Sequence, residues 1–130
     1  MTDDNVAAAE RQEAVAKALA AMTGDVVAVN TLNGWYEQPL SFGEAMALIH
    51  SEVSEALEAW RHWGLEDATE PCMDPAPRLA KPEGVGREFA DILIRLVDCS
   101  ARFGVDLAAE YARKLAYNRV RGYRHGGKRN

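Results

Sequence analysis

Cysteine is scarce in this chain: 130 residues contain two, Cys72 and Cys99, and no Cys-x-x-Cys spacing. That excludes a disulfide framework and a cysteine-based zinc or redox motif, and it points to the reduced thiols of a cytoplasmic protein. Long apolar runs are missing as well. Arg95 and Asp98 interrupt the most hydrophobic segment, so about 18 consecutive apolar residues, the minimum for crossing a bilayer, are nowhere expected. The start, Met1-Thr2-Asp3-Asp4, is acidic and carries neither the basic opening nor the apolar run of a secretory signal. There is no Val/Ile/Thr-rich alternation to argue for strands, no internal repeat and no recognisable Ser or Cys triad.

What is present is a balance typical of one globular domain, 48% hydrophobic and 27% charged. A length of 130 residues suits a single helical core rather than two independent ones. The formal charge of −5 conceals an asymmetry: residues 1–104 carry 8 basic and 18 acidic side chains, and residues 105–130 carry 7 basic and 2 acidic. A basic tail alone suggests nucleic acid, but an acidic body repels a phosphate backbone unless cations intervene, which favours a small phosphorylated ligand.

The apolar periodicity is helical throughout and predicts an all-α fold of four helices. The first is expected from Asp4 to Asn30, broken near Thr23-Gly24 and ending before the turn-forming Asn33-Gly34. Ser41 followed by Glu44 is a capping box that starts a second helix, which runs to Trp63 and stops at Gly64. Residues 64–86 hold Pro71, Pro75, Pro77 and Pro82, a linker long enough to serve as a lid or an oligomer contact. A third helix is expected over Arg87–Phe103, stopped by Gly104, and a fourth from the cap Asp106 to about Arg121, before a basic tail at 122–130. Short connections imply antiparallel neighbours.

On the second helix Ala45, Leu48, Ile49, Val53, Ala56, Leu57, Ala59 and Trp60 form one apolar arc, and Glu52 falls inside it. Glu55 lies at its edge and Glu58 further out. The third helix is apolar around most of its circumference. Its polar residues, Glu88, Asp91, Arg95, Asp98 and Arg102, keep to one stripe, which suggests burial against a second subunit as well as its own. Interior carboxylates must be paired, hydrogen-bonded or bound to a metal. Two i, i+3 pairs, Glu52/Glu55 and Glu88/Asp91, therefore mark a candidate metal site whose all-oxygen ligands suit Mg²⁺, with Mn²⁺ as a substitute. Single pairs of this spacing arise by chance in a chain with 20 acidic residues; two on adjacent helices, one inside an apolar arc, are a stronger signal. A di-iron bundle is disfavoured, because none of His50, His62 or His125 follows an acid at three positions.

Glu52-Val-Ser-Glu55 followed by Glu88-Phe-Ala-Asp91 resembles the E-x-x-E and E-x-x-D pattern of MazG-like all-α nucleoside triphosphate pyrophosphatases, relatives of which include dimeric dUTPases and dCTP pyrophosphatases. Asn33-Gly34-Trp35, the run from Ser41 to Glu58, and Lys114-x-x-Tyr117-Asn118-x-x-Arg121 with His125-Gly126-Gly127-Lys128 extend the resemblance over residues 30–130. It implies Mg²⁺-dependent hydrolysis of a (d)NTP between the α and β phosphates by a homodimer or homotetramer. Glu52, Glu55, Glu88 and Asp91 would hold the ion, and one of them or a ligated neighbour would activate water. Lys114, Asn118, Arg121 and Lys128 would contact phosphate oxygens, Trp35 would stack on the base, and Asn30 or Asn33 would hydrogen-bond to it. The 32 residues between Glu55 and Glu88, and Gly122 where proline is expected, depart from the pattern. Two other readings stay open: a non-catalytic helical nucleotide-binding or oligomerisation module, and nucleic-acid binding through residues 113–129.

Overall fold

The computed structural model describes residues 3–65 and 84–121. Among them are four helices and no strand: α1 (Asp3–Leu32), α2 (Phe42–Trp63), α3 (Val85–Phe103) and α4 (Leu107–Val120). Residues 66–83 of the expected lid, and the basic tail at 122–130, with Cys72, His125 and Lys128 among them, lie outside the described residues.

Local chemistry explains the boundaries. At the start of α2 the Ser41 hydroxyl accepts from the Glu44 N–H at 3.2 Å, and a Glu44 oxygen accepts from the Ser41 N–H at 2.8 Å, so both halves of the capping box form. Asp106 Oδ1 accepts from the Ala109 N–H at 3.0 Å and opens α4. Gly104 ends α3 in the left-handed region at φ 68°, a conformation that disfavours any side chain with a Cβ.

The expected break at Thr23-Gly24 is corrected: α1 is continuous. Glycine in a helix interior costs only about 1 kcal/mol relative to alanine. The half-buried stripe Val15, Leu19, Met22, Val26, Asn30 runs through the site at i, i+3 and i+4 spacing, and packing along that stripe carries the helix past Gly24. A second correction concerns hydropathy. Within Val6–Leu32 an 18-residue window reaches a mean hydropathy of 1.3, enough in length and composition for a membrane-crossing helix. Arg95 and Asp98 interrupt α3, but the alanine- and valine-rich α1 is the more apolar of the two helices.

The principal packing is α2 on α3, with α1 against α3 and α4. The α2–α3 pair is antiparallel. Phe42 at the start of α2 meets Phe103 at the end of α3 edge-on, with ring centroids 5.2 Å apart. Further along, Glu52 meets Arg95 and Glu55 comes beside Glu88. The polar stripe of α3 faces inward: Glu88 and Asp98 are buried, and Asp91, Arg95 and Arg102 are half-buried.

Among the described residues the apolar core is correspondingly small, formed by Ala45, Ala56, Ala59, Val85, Val97 and Cys99. Much of the expected apolar arc of α2 faces outward, with Val53 51%, Leu57 46% and Trp60 53% exposed. On α3 Phe89 is 60% and Leu93 39% exposed. Side chains of this size each contribute about 1.5–3 kcal/mol when fully buried, and at these exposures about half of that contribution is left unrealised.

Candidate metal centre and adjoining cavity

α2 and α3 bring three of the four predicted carboxylates together. One oxygen each from Glu52, Glu55 and Glu88 lie within 4.8 Å of one another. Glu52 and Glu88 are buried, 5% and 4% exposed, whereas Glu55 is exposed and accepts a hydrogen bond from the Ser51 hydroxyl at 3.1 Å. Asp91 is not within this trio; it is half-buried and lines the same cavity.

Adjacent oxygens around one Mg²⁺ are about 3 Å apart and opposite ones about 4.2 Å, so donors within 4.8 Å would have to draw in by up to about 2 Å to share an ion. The donor set is entirely oxygen, as Mg²⁺ and Mn²⁺ prefer.

Arg95, one turn beyond Asp91, donates from Nε to Glu52 Oε1. The side chain of Glu52 is 7% exposed and that of Arg95 34%, so the guanidinium reaches a sheltered carboxylate from a partly open position. Both line a cavity of about 490 Å³, within the usual range for small-molecule sites.

The far end of that cavity is organised around Asp98. Its Oδ1 accepts from Asn30 Nδ2 at 3.0 Å and from the Tyr36 hydroxyl; its Oδ2 accepts from Arg102 Nε at 2.6 Å. Burial acts to raise the Asp98 pKa, but the hydrogen bonds from Tyr36, Arg102 and Asn30, with the Arg102 charge, outweigh it and hold the carboxyl below its ordinary value. Burial also raises the Tyr36 phenol, and the hydrogen bond to Asp98 and the Asp98 charge raise it further. Arg102 lies 3.8 Å from the centre of the Tyr36 ring and donates from Nη2 to the Trp35 carbonyl at 3.1 Å. The segment carrying Trp35 is thereby fixed to α3.

The turn that presents Trp35 follows from Gly34, at φ 79°. A Cβ there would meet the Glu37 carboxylate at 3.3 Å in a backbone conformation that side chains avoid. The Trp35 N–H donates to the Asn30 carbonyl at 2.9 Å. The indole is 62% exposed and lines the cavity, as does Asn30.

The other expected ligand contacts are not assembled here. Asn33 is exposed and away from the cavity lining; its N–H donates to the Val29 carbonyl at 3.0 Å. Lys114 and Asn118 are exposed on α4, outside the lining, and Lys114 Nζ sits 5.5 Å from the Tyr117 ring centre. Arg121, half-buried at the end of α4, is also outside it. The helix α4 packs on α1 rather than principally on the α2–α3 pair, which directs these cations away from the carboxylates. Lys128 lies outside the described residues. His50 and His62 are exposed, with His62 Nδ1 3.1 Å from the Glu58 carbonyl.

Sequence reasoning assigned no role to Tyr36, Arg95, Asp98 or Arg102. A signal was available for three of them: Glu88, Asp91, Arg95, Asp98 and Arg102 recur at steps of three and four, the period of a helix face directed at a single neighbour. Comparisons of the chain with known protein families, with curated proteins and with solved structures found no match.

Proposed function

We propose that the protein is a Mg²⁺-dependent nucleotide pyrophosphohydrolase of MazG-like all-α architecture, cleaving a (d)NTP to (d)NMP and pyrophosphate as a homodimer or homotetramer. The observation that carries this reading is the convergence of Glu52, Glu55 and Glu88 oxygens within 4.8 Å at a cavity that also holds Asp91, Asn30 and Trp35.

Bound there, a divalent ion would neutralise phosphate charge and lower the pKa of a coordinated water. Glu52, Glu55 and Glu88 would hold it, and Asp91, on the cavity wall beside them, is placed to orient or accept a proton from the attacking water. Trp35 offers an exposed aromatic face for a base, and the Arg102–Trp35 hydrogen bond keeps that face in place. Phosphate donors come from α3 in this reading: Arg95 lines the cavity and its guanidinium suits phosphate oxygens.

The test is a panel of NTPs and dNTPs with Mg²⁺. Pyrophosphate and a monophosphate are expected, and Glu52→Gln should lower the rate by at least about a hundredfold, the upper end for loss of a group supporting a metal site, with the circular dichroism unchanged. Release of orthophosphate instead would mean cleavage at a different phosphate. The Arg95–Glu52 ion pair favours a second reading, a nucleotide-binding module without turnover, since a carboxylate already paired with a guanidinium has less need of a metal. Calorimetry showing Mg²⁺-dependent nucleotide binding, with no product over hours, would select it.

A further inference from the structure

The Arg95–Glu52 contact places a permanent cation on a carboxylate of the candidate metal centre. Arginine cannot lose its proton in a protein, so this cation cannot be switched off; it can only move. Glu52 is sheltered and Arg95 is 34% exposed. The mobile partner is therefore the arginine, whose long side chain borders the cavity of about 490 Å³ and has space to turn into it. Glu52 Oε1, the atom that Arg95 Nε contacts, cannot at the same time give its full charge to a divalent ion.

We propose that Arg95 is the resident counter-ion of the carboxylate cluster: it neutralises Glu52 while no divalent ion is bound, is displaced when one enters, and then turns its guanidinium to the phosphates of the substrate. The proposal rests on the metal-dependent reading above. The charges support it. Glu52 is one of three carboxylates that converge there, so the guanidinium on it competes with an entering dication for the same oxygen. Once displaced, the same +1 charge would oppose the ion at short range and is better placed against phosphate oxygens, which the forked N–H donors match. One residue thus limits metal affinity before substrate arrives and improves substrate affinity afterwards.

The two effects have opposite signs, which a merely structural ion pair would not produce. The experiment compares the full-length wild-type protein with Arg95→Gln and Arg95→Lys, measuring Mn²⁺ binding by calorimetry without nucleotide, thermal melting with and without Mn²⁺, and the nucleotide KM. Arg95→Gln should bind Mn²⁺ on the order of tenfold more tightly, the scale of one charge-assisted hydrogen bond removed from competition. It should melt lower than wild type without metal, recover at saturating Mn²⁺, and show a raised KM. Arg95→Lys keeps the charge without the fork and should fall between the two, which preserves the test should Arg95→Gln fold poorly. Equal or weaker Mn²⁺ binding by the variants, with wild type binding the ion, would overturn the counter-ion role and leave the metal reading intact. No Mn²⁺ binding by any of the three would overturn that reading and the counter-ion role with it.

Discussion

The two ends of the polar stripe on α3 carry the same kind of side chain in opposite electrostatic circumstances. At one end Asp98 receives Asn30, Tyr36 and Arg102, and Asp98 with Arg102 is neutral. At the other end Glu52, Glu55 and Glu88 converge, with the Arg95 guanidinium on Glu52. The first end is completed by the protein and behaves as architecture: it ties α1 and the Trp35 segment to α3. The second gathers like charges in a partly buried place, where in the proposed reading a bound cation would offset their repulsion.

The largest expected effect lies at the completed end. Asp98→Ala leaves Arg102 with its carboxylate removed in a setting where both side chains are 13% exposed, and unfolding in denaturant should show a loss of about 3 kcal/mol, at the low end for breaking a buried pair. Asp98→Asn should lose less, because the amide oxygen still accepts from Tyr36 or Asn30. The pH dependence has a fixed sign. The folded Asp98 pKa lies below its ordinary 3.8, so its contribution is full above the unfolded value and is lost as pH falls through the folded one. Wild type should therefore lose stability more steeply than Asp98→Asn below about pH 4. A parallel acid limb in the two proteins would contradict the assignment.

These two ends were unequally legible in the sequence. Glu52 declared itself by falling inside an apolar arc, and Ser41 with Glu44 fixed the start of α2 from adjacent residues alone. Asp98 showed only as a member of the polar stripe and its partners did not show, because its donors Asn30 and Tyr36 lie 68 and 62 residues away, and hydrogen bonds over such separations are set by how α1 packs on α3. Lys114 and Asn118 share one face of α4 at i, i+4 spacing, but that helix packs on α1, a placement that spacing alone does not reveal. Thr23-Gly24 shows the converse, a local stop signal overridden by the apolar stripe on either side of it.

The outer face of α3 supplies a third region with which to sharpen the comparison. Phe89 and Leu93 point away from the polar stripe and are 60% and 39% exposed, matched by Val53, Leu57 and Trp60 on α2. If a second copy covers this face, as the proposed homo-oligomer requires, Leu93→Glu should shift light-scattering mass toward the 14.3 kDa of one chain and weaken association by at least about tenfold, the cost of burying an unpaired charge. A monomeric wild type, or a variant of unchanged mass, would leave the apolar face without that partner.

A smaller effect is expected at the α2 cap, which belongs to neither end of the stripe. Ser41→Ala removes the acceptor of the Glu44 N–H and should cost about 1 kcal/mol, read as a shift of the denaturant midpoint with the slope unchanged. Metal binding should stay at its wild-type value. A large loss there would mean that the carboxylates depend on the register of α2 as much as on their own contacts, and would blur the distinction between architecture and site.

The smallest expected effect is the most discriminating, because its sign differs from that at Asp98. Glu55 is exposed and keeps its Ser51 hydrogen bond as a glutamine, since the amide oxygen accepts as the carboxylate does. Removing its charge relieves repulsion with Glu52 and Glu88, a gain of about 0.5 kcal/mol after screening by solvent. Metal-free Glu55→Gln should therefore unfold at slightly higher denaturant than wild type, whereas substitution of Asp98 destabilises. With saturating Mn²⁺ the order should reverse, because stabilisation by a bound ligand grows with its affinity and the variant has lost one of three ligands. A carboxylate serving only as a solvated surface charge would show neither the gain nor the reversal.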